Sequence, residues 1–399
     1  MGESVTAEVF KNEILVKLNQ INRIVPEIPK GRLPATINRS KSLGKVVNLL
    51  YGITGTVVNI LSLILLLFLS VRPSGNYSGT AFIYTDKRLL KFSTEGFPAL
   101  CVGLHKILLR FGRGHLYRNL RTSDVLFCLR EAVQMKEVLT DEIRNSMIGN
   151  LNGEQLLSLS GVGYFRALDL MLARAAITKF KSIQCAGHFD VYTALISKLR
   201  ENGEIEYFSG VQHGLYEYFY FGKPMRLFFD EYELLFRESE LYFRQYICGN
   251  SACEIICQEK MSAFQTLGNF KKAAAIALQS DDFESDAVLM QHLTPLVMAG
   301  FVVIGYVHPA TSRKQLRVLQ LRFPYITFEQ KRRYANVDII ITRYSTLAMD
   351  YVAMGVPAIF WAARDRVCVS MSENSLIHEI AELDGLMLSV NKMLAEKGK

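Results

Sequence analysis

The sequence predicts an α/β protein: two doubly wound α/β domains facing a cleft, preceded by an N-terminal apolar helical segment. Three observations predict this. Between residues 182 and 361, short apolar runs alternate with stretches of helical periodicity. The clearest of those runs, Val337–Ile341 and Ala358–Trp361, are almost uninterruptedly apolar, as parallel strands covered on both faces must be. Several of the runs hand over to polar residues and then to a helix, the strand–loop–helix order of an open parallel sheet.

Residues 1–75 read as a basic lead followed by a membrane-associated apolar segment. Ile14, Leu18, Ile21 and Val25 recur at helical spacing, and Pro26, Pro29, Gly31 and Pro34 follow. Val46 to Val71 then runs for 26 residues without a charge, more than the ~20 apolar residues a spanning helix needs. It lies too far from residue 1 to be a cleaved signal peptide. Glycines, asparagines and threonines dilute its first half, so the strongly apolar part is Ile60–Val71. Association with a membrane is the expectation, as a span or as a helix embedded in one leaflet; a core helix of a large domain is the plainer alternative. Arg72–Gly79 is linker in composition.

The first globular domain is expected over residues 76–248. It opens with a strand at Thr80–Thr85 and continues largely helical through residues 90–180. Ser182–Gly187 reads as a strand, Val191–Arg200 as a helix, Glu206–Val211 as a strand, and Glu231–Tyr246 as a helix. An aromatic loop, Tyr216–Phe221, lies between. The second domain, residues 249–399, is expected to hold strands at Ala273–Gln279, Phe301–Val307, Tyr325–Phe328, Val337–Ile341 and Ala358–Trp361. Its helices are expected at Ser285–Ala299 and Leu347–Met354, the latter stopped by Gly355-Val356-Pro357.

Forty-six basic against 38 acidic residues give a net charge of +8, which favours an anionic ligand or an anionic membrane surface. The basic residues are dispersed and no nucleic-acid fingerprint is present, so nucleic acid is not expected as a partner. The seven cysteines show no metal-ligand spacing and read as reduced thiols; neither metal nor cofactor is expected. Gly-x-Gly-x-x-Gly after a strand, a Walker loop, a Gly-x-Ser-x-Gly elbow, His-Glu-x-x-His and Asp-x-Asp are all missing. Their absence counts against a dehydrogenase, a P-loop nucleotidase, an α/β-hydrolase, a zinc peptidase and a metal-dependent sugar transferase of the last type.

The candidate site residues stand at strand ends. Ser345 and Thr346 sit where a strand passes to a helix, a place that caps the first-turn N–H groups and holds anions. His308, before Pro309, closes another strand, where its imidazole can hydrogen-bond a phosphate or protonate a leaving oxygen. Arg343 adds positive charge beside it. Glu329, Gln279 and Ser280, at further strand ends, are candidates for holding a nucleotide. In the first domain, His213 ends a strand before Gly214 and suits removal of a proton from a sugar hydroxyl. Asp190 either orients it or is itself the base.

Gln212-His213-Gly214, His308-Pro309 and Arg343-Tyr-Ser-Thr-Leu-Ala-Met-Asp-Tyr-Val-Ala-Met-Gly-Val-Pro357 together resemble bacterial GT-B glycosyltransferases of capsule, lipopolysaccharide and teichoic-acid assembly. His308 with Ser345 and Thr346 is similar to the phosphate-binding set of sialyl- and polysialyltransferases. His213 resembles the histidine of teichoic-acid glycerophosphotransferases and of capsular Kdo transferases. The acidic pair that supplies the base in sialyltransferases has no counterpart in the first domain, which moves that role to His213. The resemblance covers roughly residues 180–365. It implies a GT-B-like fold and metal-independent displacement of a sugar, a CMP-sugar for preference, from a nucleotide donor to a growing glycan or lipid-linked acceptor. It also implies a place on the cytoplasmic face of the bacterial inner membrane. A polyol-phosphate transferase using a CDP-activated donor, or a non-catalytic membrane-bound assembly subunit, are the alternatives.

Overall fold

The structure, a computed structural model, describes residues 57–71, 79–85, 87–93, 96–104, 106–109, 114–133, 165, 167–186, 191–212, 226–257, 266–269, 272–279, 283–308, 311–330, 334–361 and 374–397. The chain divides into two compact units. One comprises residues 1–213, 227–232 and 252–254, the other residues 214–226, 233–251 and 255–399.

Six strands, β1 (Thr80–Tyr84), β2 (Ala99–Cys101), β3 (Ser182–Ala186), β4 (Tyr207–Val211), β5 (Glu231–Leu234) and β6 (Glu254–Cys257), form the first sheet in the order β2-β1-β3-β4-β5-β6. The pairs β1/β2, β1/β3 and β3/β4 are parallel. The order reverses between β1 and β3, which makes that junction the topological switch point where open α/β sheets bind ligands. Helices described in this half of the chain include α1 (57–70), α2 (122–133) and α3 (167–177). Another, α4 (Val191–Glu201), returns from β3 to β4.

A short strand, β2 at Ala99–Cys101, lies within the stretch 90–180 expected to be largely helical. One expectation fails here. Glu231–Tyr246 is not one helix. Its first four residues form β5, with Tyr232 and Leu234 buried and Glu231 and Glu233 half-buried, an alternation with the period of a strand. Only residues 237–247 are helical, as successive short turns.

The second half contains β7 (Thr266–Asn269), β8 (Ala273–Ala277), β9 (Val302–Tyr306), β10 (Ile326–Glu329), β11 (Tyr334–Asn336), β12 (Ile339–Thr342), β13 (Ala358–Trp361) and β14 (Ile377–Ile380). β7 and β11 pair alone, and the other six form a sheet ordered β10-β9-β8-β12-β13-β14. Every neighbouring pair of that sheet is parallel. Its order, 3-2-1-4-5-6 in its own count, is that of a doubly wound nucleotide-binding domain with the switch point between β8 and β12. Both units are thus doubly wound sheets of GT-B-like type, as the sequence predicts.

Parity explains the packing. Ile276, Val303, Ile339, Ile341 and Ile359 point to one face and join a core with α5 (Phe283–Gln291), α6 (Thr294–Met298), α7 (Arg313–Arg322) and α9 (Leu386–Lys397). The other face carries Ala273, Ala275, Ala277 and Tyr306, all buried. On β12 and β13 it meets α8 (Thr346–Ala353). The helix expected at Ser285–Ala299 is interrupted after Gln291 because Pro295, at the start of α6, lacks the N–H that would bond back to residue 291. β14 and α9 continue the fold beyond the elements read from the sequence.

Among the described residues, no helix is long and apolar enough to cross a membrane.

Candidate functional site

The second sheet brings its strand ends into one row. Register places Glu329 beside Tyr306, Tyr306 beside Ala277, Ala277 beside Thr342, Thr342 beside Phe360, and Phe360 beside Glu379. Beyond that row the chain continues into the residues the sequence singles out: Gln279 two positions after Ala277, His308 two after Tyr306, and Ser345 three after Thr342. The ends of β9 and β12 therefore flank that of β8, and at ~4.8 Å per strand they stand about 10 Å apart. A phosphate accepting hydrogen bonds of about 2.8 Å from either side fits that spacing.

Local chemistry shapes the turn after β12. The Thr342 hydroxyl donates to the Ala277 carbonyl (2.9 Å) and accepts from the Ser345 N–H (3.2 Å), which turns the chain sharply after the strand. Ser345 then caps α8, its Oγ accepting from the Leu347 N–H at 3.3 Å. The first turn of α8 thus opens at the sheet's carboxyl edge, with the partial positive charge of a helix N-terminus. Ser345 and His308 are half-buried and Thr346 is exposed, so none of the three is sealed into the core.

Arg343 departs from expectation. It is buried, with its guanidinium 3.9 Å from Asp286 on α5, rather than standing open to a donor phosphate. The other Asp286 oxygen accepts from the Gln279 N–H at 2.6 Å. Arg343 and Asp286 thereby join the turn after β12 to the turn after β8. Glu329 and Gln279 are half-buried at the strand edge. His213, Asp190 and Ser280 lie outside the described residues. The strands leading to the first two end side by side, Ala186 beside Val211.

Three features escape sequence reading. The first is a ring of hydrogen bonds beneath the β9 and β12 ends. The Ala335 N–H donates to the Tyr306 hydroxyl (2.7 Å), that hydroxyl lies 2.8 Å from the Tyr351 hydroxyl, and Tyr351 donates to the Ala335 carbonyl (3.1 Å). With both outer bonds assigned, Tyr306 must donate to Tyr351. Burial, and then the bond with Tyr306, push the Tyr351 phenol well above its ordinary range. The second is Asp169 in the first unit, a buried carboxylate accepting from the Leu104 N–H (2.8 Å), the Tyr192 hydroxyl (2.5 Å) and the Tyr117 hydroxyl. It fixes the first turn of α4 just past the β1/β3 switch point. The third is Glu379, at the far end of the row of strand termini, whose carboxyl burial pushes up. Such features join residues far apart in the chain, and no local pattern marks them. Among the described residues, no group of His, Cys, Asp and Glu is placed to hold a metal ion.

No family model and no curated protein matches this sequence. Solved structures are similar at low identity. A glycosyltransferase from Rickettsia africae ESF-5 is 9% identical with a TM-score of 0.39, over 80% of this chain and 89% of that one. The glycotransferase of kitacinnamycin is 8% identical with a TM-score of 0.40, over 80% and 91%. S. aureus MnaA in its co-structure with UDP is 9% identical with a TM-score of 0.34, over 73% and 80%.

Proposed function

We propose that this chain is a glycosyltransferase that binds a nucleotide-activated sugar at the carboxyl edge of the second sheet and passes the sugar to a glycan or lipid-linked acceptor. The observation that carries this reading is the register row that sets His308 and Ser345 on either side of the β8 end, at the switch point of a doubly wound sheet. There the donor's phosphate accepts from Ser345, Thr346 and the first turn of α8, and His308 hydrogen-bonds it from the β9 side. These groups stabilise the charge that grows on the phosphate as the glycosidic bond breaks. Gln279 and Glu329, on the flanking strand ends, contact the nucleoside. Arg343 serves indirectly, by bracing the two turns through Asp286. His213 removes the acceptor proton, with Asp190 as its orienting partner, and the reaction takes place on the cytosolic side, where nucleotide sugars are available. CMP-sugars are the preferred donors in this reading.

The test is donor turnover. CMP-, CDP- and UDP-linked sugars and CDP-polyols are offered to the wild type and to His308→Ala, Ser345→Ala and His213→Ala. The expected result is release of nucleotide from one donor class, lost at least a hundredfold in His308→Ala and His213→Ala. Turnover unaffected by all three substitutions refutes the assignment. Turnover of CDP-polyols alone moves the chemistry to phosphorus.

A further inference from the structure

We propose that α1 seats its outer face in one leaflet of an anionic lipid bilayer and so holds the protein at a membrane surface. The helix is patterned inside out. The side turned to the protein carries Ser62, Leu66 and Ser70, spaced four apart and buried. The side turned to solvent carries Val57, Leu61, Ile64, Phe68 and Val71, all exposed, Phe68 by 75% and Val71 by 69%. A helix packed in water puts its apolar stripe inward and its polar residues outward. Small hydroxyl residues at the packing seam with large aliphatics outside is the arrangement of a helix whose outer solvent is hydrocarbon.

The contact at that seam agrees: Ser70 Oγ donates to the Leu67 carbonyl at 2.9 Å and lies 3.1 Å from Thr122 Oγ1 at the start of α2. One turn further along α2, Leu126 and Phe127 are exposed as well, so the apolar surface is not confined to α1.

The spacing of the outer stripe, alternating four and three, also suits a coiled-coil seam between two copies. Such a seam is flanked by charged residues that set register and partner, and residues 57–71 contain no charge. Lipid demands no register. Charge favours the same occupant: the 56 residues before α1 carry eight Lys and Arg against four Glu, which draws that end of the chain to an anionic surface. One side of α1 packs on the protein while the other is apolar and exposed, which suits a helix lying along one leaflet.

Flotation of the full chain with vesicles of 70% zwitterionic and 30% anionic lipid (about, by mole) tests this. The wild type is expected to float, and Ile64→Glu/Phe68→Glu to lose at least tenfold of the floated fraction with its far-ultraviolet circular dichroism and its donor turnover unchanged. Should that variant fold poorly, Phe68→Ser/Val71→Ser replaces it, with the same loss expected. Equal flotation of variant and wild type overturns the proposal. So does a wild type that stays with the lipid-free fraction while light scattering shows a dimer that the substitutions split. A wild type that floats but turns over no donor counts against the catalytic reading and not against this one.

Discussion

Removing one hydroxyl from the buried tyrosine ring is predicted to loosen the whole carboxyl edge of the second sheet. Tyr306, Ala335 and Tyr351 come from β9, β11 and α8, and all three residues are buried. Tyr351→Phe deletes the donor to the Ala335 carbonyl and the acceptor of the Tyr306 hydroxyl. Leaving a buried polar group unsatisfied costs about 1–3 kcal/mol, so two such groups, partly relieved by relaxation, come to about 2–4 kcal/mol. Tyr306→Phe strands the Ala335 N–H and leaves Tyr351 its bond to the carbonyl, with a loss of about 1–3 kcal/mol. Because each substitution already breaks the bond between the two rings, the double variant falls short of the sum by about 1 kcal/mol or more. Urea unfolding followed by tryptophan fluorescence measures this in the second unit, since Trp361 on β13 is the chain's only tryptophan and packs on that unit's core. Losses under about 0.5 kcal/mol that add without coupling would refute the ring.

Other consequences follow from the same structure. Asp286→Ala leaves Arg343 buried without that carboxylate and is expected to cost about 3–5 kcal/mol, read in the same urea titration; a loss below about 1 kcal/mol would show that the pair does not brace the two turns. Gly210→Ala, on β4, places a Cβ 2.5 Å from the Tyr232 ring and 2.8 Å from Phe229. A destabilisation of about 1–3 kcal/mol is expected by thermal unfolding, and an unchanged midpoint would contradict that packing. Glu379 keeps its proton to higher pH in the folded chain than in the unfolded one. Stability from this group is therefore intact below the unfolded pKa of about 4.3 and falls as pH rises through the raised value. Glu379→Gln should match the wild type in acid and exceed its unfolding midpoint at neutral pH; the same pH dependence in both would contradict the burial of the carboxyl.

The sequence shows the second unit better than the first, for physical reasons. β12, α8 and β13 are local: an apolar strand, a serine cap, and a Gly-Val-Pro stop all lie within about two dozen residues of one another. β5 is missed because Glu231, Glu233 and the Arg and Glu residues after it favour helix, while the burial of Tyr232 and Leu234 in a sheet is a tertiary fact. β14, Ile-His-Glu-Ile, carries too few apolar residues to read as a strand and becomes one by pairing with β13. Of the candidate site residues, His308 and Ser345 are readable because strand ends are readable. The buried placement of Arg343 is not, since Asp286 lies 57 positions earlier in the chain. The tyrosine ring and the Asp169 network likewise depend on contacts between residues 16 to 65 positions apart.

A crystal structure of the chain with the nucleotide of its active donor is the most direct examination of the proposed donor site. The phosphate is expected over the end of β8, within about 3 Å of both Ser345 Oγ and the His308 imidazole. A nucleotide bound elsewhere, or at that edge with His308 turned away and Ser345 untouched, would contradict it.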